Sequence, residues 1–125
     1  MTTVRTGVVL RWGPVVAWAG LIWFLSSRSA VPALPLSIPH LDKVLHAVIF
    51  GALAWLLVRA LGAGRRRAAL AVLLAVVWGA IDEAHQSTVP GRLPSWGDVV
   101  ADGVGAFLGA LVGNLRGLRL RSSGT

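Results

Sequence analysis

The sequence contains no cysteine, which excludes disulfides, thiolate zinc sites and thiol nucleophiles. Charge is scarce as well. Only 14% of residues are Asp, Glu, Lys or Arg, and five of them are acidic. With 55% hydrophobic residues and a mean hydropathy of +0.72, the chain is too apolar for a small soluble domain, so the bilayer is its expected solvent. A length of 125 residues leaves room for one domain, residues 1–125. The net charge of +7 does not indicate nucleic acid, because the basic residues form no continuous patch interleaved with exposed aromatics. Convincing tandem repeats are also missing.

Four apolar segments are present: Val8–Leu25, Val44–Val58, Ala68–Ile81 and Val99–Leu115. A helix needs about 20 residues to cross a hydrocarbon core of ~30 Å. The second and third segments, at 15 and 14 residues, must therefore draw in polar residues at one end. For the second these are Asp42 and His46; for the third, Asp82, Glu83 and Gln86. The expected fold is all-α, a membrane-embedded four-helix bundle with helices near 8–27, 42–61, 67–87 and 96–115. A basic flexible tail is expected over 116–125. Pro14 falls near the start of the first apolar run, where a helix tolerates it. A signal peptide cleaved near Ser29-Ala30 is the alternative reading of the first segment.

Arg5, Arg11, Arg59, Arg65, Arg66, Arg67, Arg116, Arg119 and Arg121 lie on one side of such a bundle, leaving Arg28, Lys43 and Arg92 on the other. The positive-inside rule then places both termini in the cytoplasm. Every acid (Asp42, Asp82, Glu83, Asp98, Asp102) and every histidine (His40, His46, His85) belongs to the outer half. Because the chain lacks cysteine, single Ser95→Cys and Ser122→Cys variants test this orientation cleanly. An impermeant thiol reagent should label the first from outside the cell and not the second; outside labelling at position 122 would reverse the topology.

The outer connections contain proline. Pro32, Pro35 and Pro39 forbid a continuous helix across 26–41, and Val31, Leu34, Leu36, Ile38 and Leu41 suggest a segment lying in the interface. Pro90-Gly91 and Pro94 mark a turn. Ser95 is the expected N-cap of the fourth helix, with Asp98 completing a capping-box-like pattern. Trp96 outside and Trp12 inside are expected anchors at headgroup level.

An ionised side chain within the hydrocarbon costs about 2.5–3.5 kcal/mol, so the carboxylates need partners, water, a cation or protons. Asp42 and His46 share a helical face, as do Glu83 and Gln86 with Gly79 and Val76. Asp98, Asp102, Gly105, Gly109 and Gly113 form one line whose small residues admit a neighbouring backbone. These patterns point to an outward-open cleft lined by His46, Glu83, Gln86, Arg92, Asp98 and Asp102. His46 and Glu83 are candidate general acid–base groups, and Asp42, Lys43, Gln86, Arg92, Asp98 and Asp102 candidate ligand-binding residues. Blander readings stand beside these: Asp98 as a helix cap, Lys43 as a snorkelling interface residue, and His46 and Glu83 as an inter-helix hydrogen bond. His85 faces either headgroups or the pocket, and Trp18, Trp23, Trp55 and Trp78 read as packing. Zinc is unsupported by any HExxH spacing, and no nucleophile elbow accompanies Ser26, Ser27, Ser87 or Ser95. A divalent cation held by the oxygens of Glu83, Asp98 and Asp102 is easier to accommodate.

Taken together, Ser26-Ser27, Asp42-Lys43-x-x-His46 with Phe50, Asp82-Glu83-x-His85-Gln86, Val89-Pro90-Gly91-Arg92 and Ser95-x-x-Asp98 followed by Gly103 and Gly105 resemble the VanZ-like family of small bacterial membrane proteins. The resemblance runs from Val8 to Leu115, with the motifs in the family's order. It departs at Asp102, where the family's pattern usually has asparagine. It implies a four-helix protein of the bacterial cytoplasmic membrane whose founding member is associated with reduced susceptibility to the glycopeptide teicoplanin. The expected partners are membrane lipids or an envelope lipid precursor. The alternative is a membrane scaffold whose polar cluster is structural.

Overall fold

The computed structural model describes residues 2–28 and 38–124. It contains four helices: α1 (Thr2–Ser26), α2 (Leu41–Leu61), α3 (Arg65–Gln86) and α4 (Trp96–Ser122). All four are long and apolar enough to cross a membrane. The shortest, α2 with 21 residues, is about 31 Å long at 1.5 Å per residue. It reaches that length by taking in Asp42, Lys43 and His46, while α3 takes in Asp82, Glu83, His85 and Gln86. The short apolar runs thus carry their polar ends into the bundle, as their lengths require.

Two helices extend beyond expectation. α1 starts at Thr2, so Pro14 lies inside the helix and leaves the Leu10 carbonyl without its usual donor. α4 continues through Ser122, making most of the supposed flexible tail helical. Arg116, Arg119 and Arg121 favour this, since arginine is a good helix former and its charge suits a helix C-terminus. The interfacial segment and the Ser29-Ala30 cleavage site lie outside the described residues, apart from Ile38, Pro39, His40 and Leu41.

α2 and α4 form the closest pair. They run parallel, with residues of α4 meeting residues of α2 roughly 55 positions earlier: Asp98 with Lys43 and Asp102 with His46, then Gly105 with Ala47, Gly109 with Gly51 and Gly113 with Trp55 and Val58. A Cβ on Gly105 or Gly109 would collide with the backbone of Ala47 or Gly51. The small-residue line therefore permits backbone-to-backbone contact. α3 packs on both of these helices, whereas α1 touches α2 and α3 but not α4.

The core contains Phe50, Leu53, Leu57 and Val58 from α2, Ala71 and Ala75 from α3, Ala106 and Ala110 from α4, and Val15 and Ile22 from α1. Large apolar residues such as Val9, Leu73, Phe107 and Val112 point outward, which suits helices surrounded by lipid. Trp96 is exposed at the start of α4, while Trp12 packs against the core. At the other end, Gly62 closes α2 with φ 94°, a conformation that glycine adopts without a Cβ clash. The Gly64 N–H in the same turn donates to Asn114 Oδ1 at 2.7 Å, tying the turn to α4.

Candidate functional site

Because α2 and α4 are parallel, their polar first turns lie side by side. Lys43 Nζ donates to Asp98 Oδ1 at 2.5 Å and to Asp42 Oδ2 at 2.7 Å. Lys43 therefore bridges two helices rather than only reaching for headgroups, and Asp98 is an ion-pair partner. Ser95 does occupy the N-cap position, but its side chain makes no capping bond. Its N–H instead donates to Glu83 Oε1 at 2.5 Å. The expected cap is replaced by a carboxylate from α3, which suits the positive end of α4.

One turn deeper, His46 Nδ1 lies 2.8 Å from Asp102 Oδ1, and its Nε2 lies 3.7 Å from Asp98 Oδ2. Each ring nitrogen thus faces a carboxylate, and an imidazolium would donate toward both. Phe50, with its ring parallel to that of His46 and 6.4 Å away, lies beneath. Asp102 is 2% exposed, so a buried carboxylate lies beside the histidine.

A second buried cluster joins the ends of α1 and α3. Asp82 Oδ2 accepts from Ser26 Oγ at 2.6 Å and from Gln86 Nε2 at 3.1 Å. Asp82, Gln86 and Ser26 are 2%, 5% and 6% exposed. Asp82 Oδ1 and the nearby Trp78 Nε1 are buried without a hydrogen-bond partner among the described residues. The inward stripe of α3 thus keeps Gly79 and Gln86, as read from sequence, with Asp82 in the place expected for Glu83. Ser26 and Asp82 were missed as cluster members. Their available signals were the i, i+4 spacing of Asp82 and Gln86 and the serine pair closing α1.

His85 stacks on Trp23 with centroids 3.9 Å apart, and its Nε2 lies 2.9 Å from Ser27 Oγ. Ser27 already donates its hydroxyl proton to the Trp23 carbonyl, so the oxygen accepts from His85. That polarity is opposite to an activated nucleophile. Arg92 donates through Nε to the Arg28 carbonyl and through Nη2 to the Leu25 carbonyl, both at 3.0 Å. It serves carbonyls at and just beyond the C-terminal end of α1, of which that of Leu25 also accepts the Arg28 N–H at 3.3 Å.

These pieces enclose a cleft of about 470 Å³ between α1, α2 and α3. Its apolar walls include Ile22, Leu25, Leu45, Ile49 and Phe50; Ser26, Asp82 and Gln86 lie on one side, Asp42, His46 and Asp98 on another, with Arg28 and Arg92 completing the lining. The cleft brings together Asp42, His46, Gln86, Arg92 and Asp98. Lys43 and Asp102 are not in its lining but hold lining residues in place, Lys43 through Asp98 and Asp102 through His46. Glu83 lines a separate recess of about 360 Å³ with Pro94, Ser95 and Trp96. The two candidate acid–base groups therefore do not share a cavity. Among the described residues no three His, Asp or Glu side chains converge as a metal site. Asp98 and Asp102 turn to Lys43 and His46, and Glu83 to the Ser95 N–H, so the suggested three-carboxylate cation site is not assembled.

The sequence matches the VanZ/LLP1 family over residues 8–116, which includes every residue lining the cleft. Neither a curated protein nor a solved structure shows detectable similarity to the chain. With a match covering most of its length, and four helices able to span a membrane, the chain belongs to the VanZ/LLP1 family.

Proposed function

We propose that this VanZ-family membrane protein binds the headgroup of an anionic or glycosylated envelope lipid, or of a lipid-linked envelope precursor, in the cleft between α1, α2 and α3. The observation that carries this reading is the pairing of apolar walls with polar groups of both kinds in one cleft. Arg28 and Arg92 offer donors for phosphate or carboxylate. Asp42, Asp82 and Gln86 offer acceptors for the hydroxyls of a glycosylated headgroup. Binding rather than chemistry is the favoured role, because Glu83 lies outside the cleft and His46 has no activated nucleophile beside it. Residence in the bacterial cytoplasmic membrane, with the cleft in its outer half, belongs to this reading, and teicoplanin susceptibility is the cellular phenotype to measure.

Native mass spectrometry of the purified protein, offered phosphatidylglycerol, a glycosyl diacylglycerol and phosphatidylethanolamine in turn, tests it. Arg28 is exposed and makes no ion pair among the described residues, so Arg28→Gln should fold normally. Losing a charge-assisted hydrogen bond, worth about 1.5–3 kcal/mol, should weaken retention of the preferred lipid about tenfold to a hundredfold. Leu45→Trp, which fills the cleft from a partly exposed wall, should do the same. Equal retention of all three lipids by wild type and both variants would sink the binding reading. It would favour the scaffold, for which the mutual satisfaction of Lys43 with Asp98 and of Arg92 with the end of α1 already speaks.

A further inference from the structure

The end of the bundle opposite the polar cleft contains a second cavity, of about 720 Å³. Five arginines line it: Arg11 of α1, Arg59 of α2, Arg67 of α3, and Arg116 and Arg121 of α4. Every helix contributes at least one. None of the five makes an ion pair or a side-chain hydrogen bond with a described residue. All five acids of the chain lie at the far end, so no carboxylate nearby balances this charge.

Orientation in the membrane explains why arginines gather at this end, but not why these five converge. Arg5, Arg65, Arg66 and Arg119 satisfy the same rule without lining the cavity. The convergence follows from packing. Parallel α2 and α4, locked at Gly51 and Gly109, bring Arg59 and Arg116 to the same end, where like charges repel. Arg11 lies about 14 Å along α1 from Thr2 at 1.5 Å per residue, within the apolar segment Val8–Leu25. An anion among these groups would turn mutual repulsion into shared attraction.

The shape of the cavity narrows the class of anion. At ~30 Å³ per water it has room for on the order of twenty waters, far beyond one phosphate group. Trp55, Val58 and Leu120 supply apolar walls. Gly117 lets the turn at Ala63 pack closely against α4 in the cavity wall, since a Cβ there would lie 2.7 Å from Ala63 Cβ. Guanidinium groups match phosphate oxygens in planar, bidentate geometry, and basic pockets between membrane helices suit phosphorylated headgroups.

We propose that this arginine cavity is a second binding site, for a phosphate-bearing polyanion carrying more than one negative charge. Its source is either the headgroup of a lipid in the adjoining leaflet or a soluble phosphorylated molecule. The apolar walls would take the first segments of lipid tails.

The test compares Arg59→Gln/Arg116→Gln with Arg66→Gln/Arg119→Gln in the full-length protein. Both pairs remove two charges from exposed side chains at the same end, but only the first pair lines the cavity. A diphosphate phospholipid, zwitterionic phosphatidylethanolamine and inorganic pyrophosphate are offered separately, with binding read by native mass spectrometry. Wild type and the control pair should retain the diphosphate lipid over phosphatidylethanolamine, and the cavity pair should bind it at least about tenfold more weakly. Pyrophosphate binding with the same residue dependence, without lipid retention, supports the phosphate site and assigns it a soluble ligand. Equal weakening in both pairs, or retention of neither phosphate probe by wild type, overturns the proposal.

Discussion

Gly105→Ala and Gly109→Ala are each expected to destabilise the purified protein by about 3 kcal/mol or more, at or above the upper end of ordinary overpacking. The added Cβ meets backbone, not a movable side chain: the Ala47 carbonyl in one case and that of Gly51 in the other. Backbone cannot rotate aside, so α2 and α4 must separate, and with them the Lys43–Asp98 and His46–Asp102 contacts. A graded series makes the point testable by thermal or denaturant unfolding in detergent. At Gly113 the new methyl would meet Trp55 Cδ1 at 3.1 Å and Val58 Cβ at 3.3 Å, wider approaches of which the closer is to a ring that can turn, so Gly113→Ala should cost less. At Gly103 the nearest atom, Val76 Cγ2, lies 4.0 Å away. There the helix-propensity gain of Gly→Ala, about 1 kcal/mol, should dominate and stabilise the fold. If Gly105→Ala and Gly103→Ala unfold alike, the close α2–α4 contact is wrong.

That contact marks the boundary of what could be read from the sequence. The spacing of Asp98, Asp102, Gly105, Gly109 and Gly113 identifies a single face of α4, and the shortness of the apolar runs puts His46 and Gln86 inside the bundle, with Asp42 exposed at its end. Periodicity names a face but not the helix it meets. Alternating spans make α2 and α4 run in the same direction, but nothing local specifies that they pack against each other, or that α1 stays clear of α4. The same limit misassigned α3. Asp82 and Glu83 are adjacent carboxylates about 100° apart around the helix, and choosing which one faces the core requires knowing that Ser26 waits at the end of α1. Glu83 is instead claimed by the Ser95 N–H, displacing the cap that the Ser-x-x-Asp pattern predicts. At Ser95 a tertiary partner outcompeted a local motif, because a free N–H at a helix start gains more from a carboxylate than from a neutral cap.

Lys43→Met separates these two levels of explanation most directly. If Lys43 only snorkels, methionine preserves its apolar stem and stability should hardly change. The bridge to Asp42 and Asp98 predicts otherwise. Breaking a fully buried pair costs about 3–5 kcal/mol, but the Lys43 side chain is 31% exposed and that of Asp98 13%. His46 Nε2, at 3.7 Å, remains near Asp98, so a loss of about 1–3 kcal/mol is expected, below the fully buried value. Most of that loss is the isolated Asp98 carboxylate, and Asp98→Asn in the Lys43→Met background should therefore restore part of the stability. A double-mutant cycle over the two sites should give a coupling of at least about 1 kcal/mol, against the ~0.3–0.5 kcal/mol within which independent sites add. Gly97 supplies a second check, since a Cβ there would lie 2.9 Å from Lys43 Cε. Gly97→Ala should displace the lysine stem and reproduce a fraction of the Lys43→Met loss, with no further loss once Lys43 is already methionine and its ammonium is gone. Full additivity of Lys43→Met with both Asp98→Asn and Gly97→Ala would show that the bridge contributes nothing and return Lys43 to the headgroup layer.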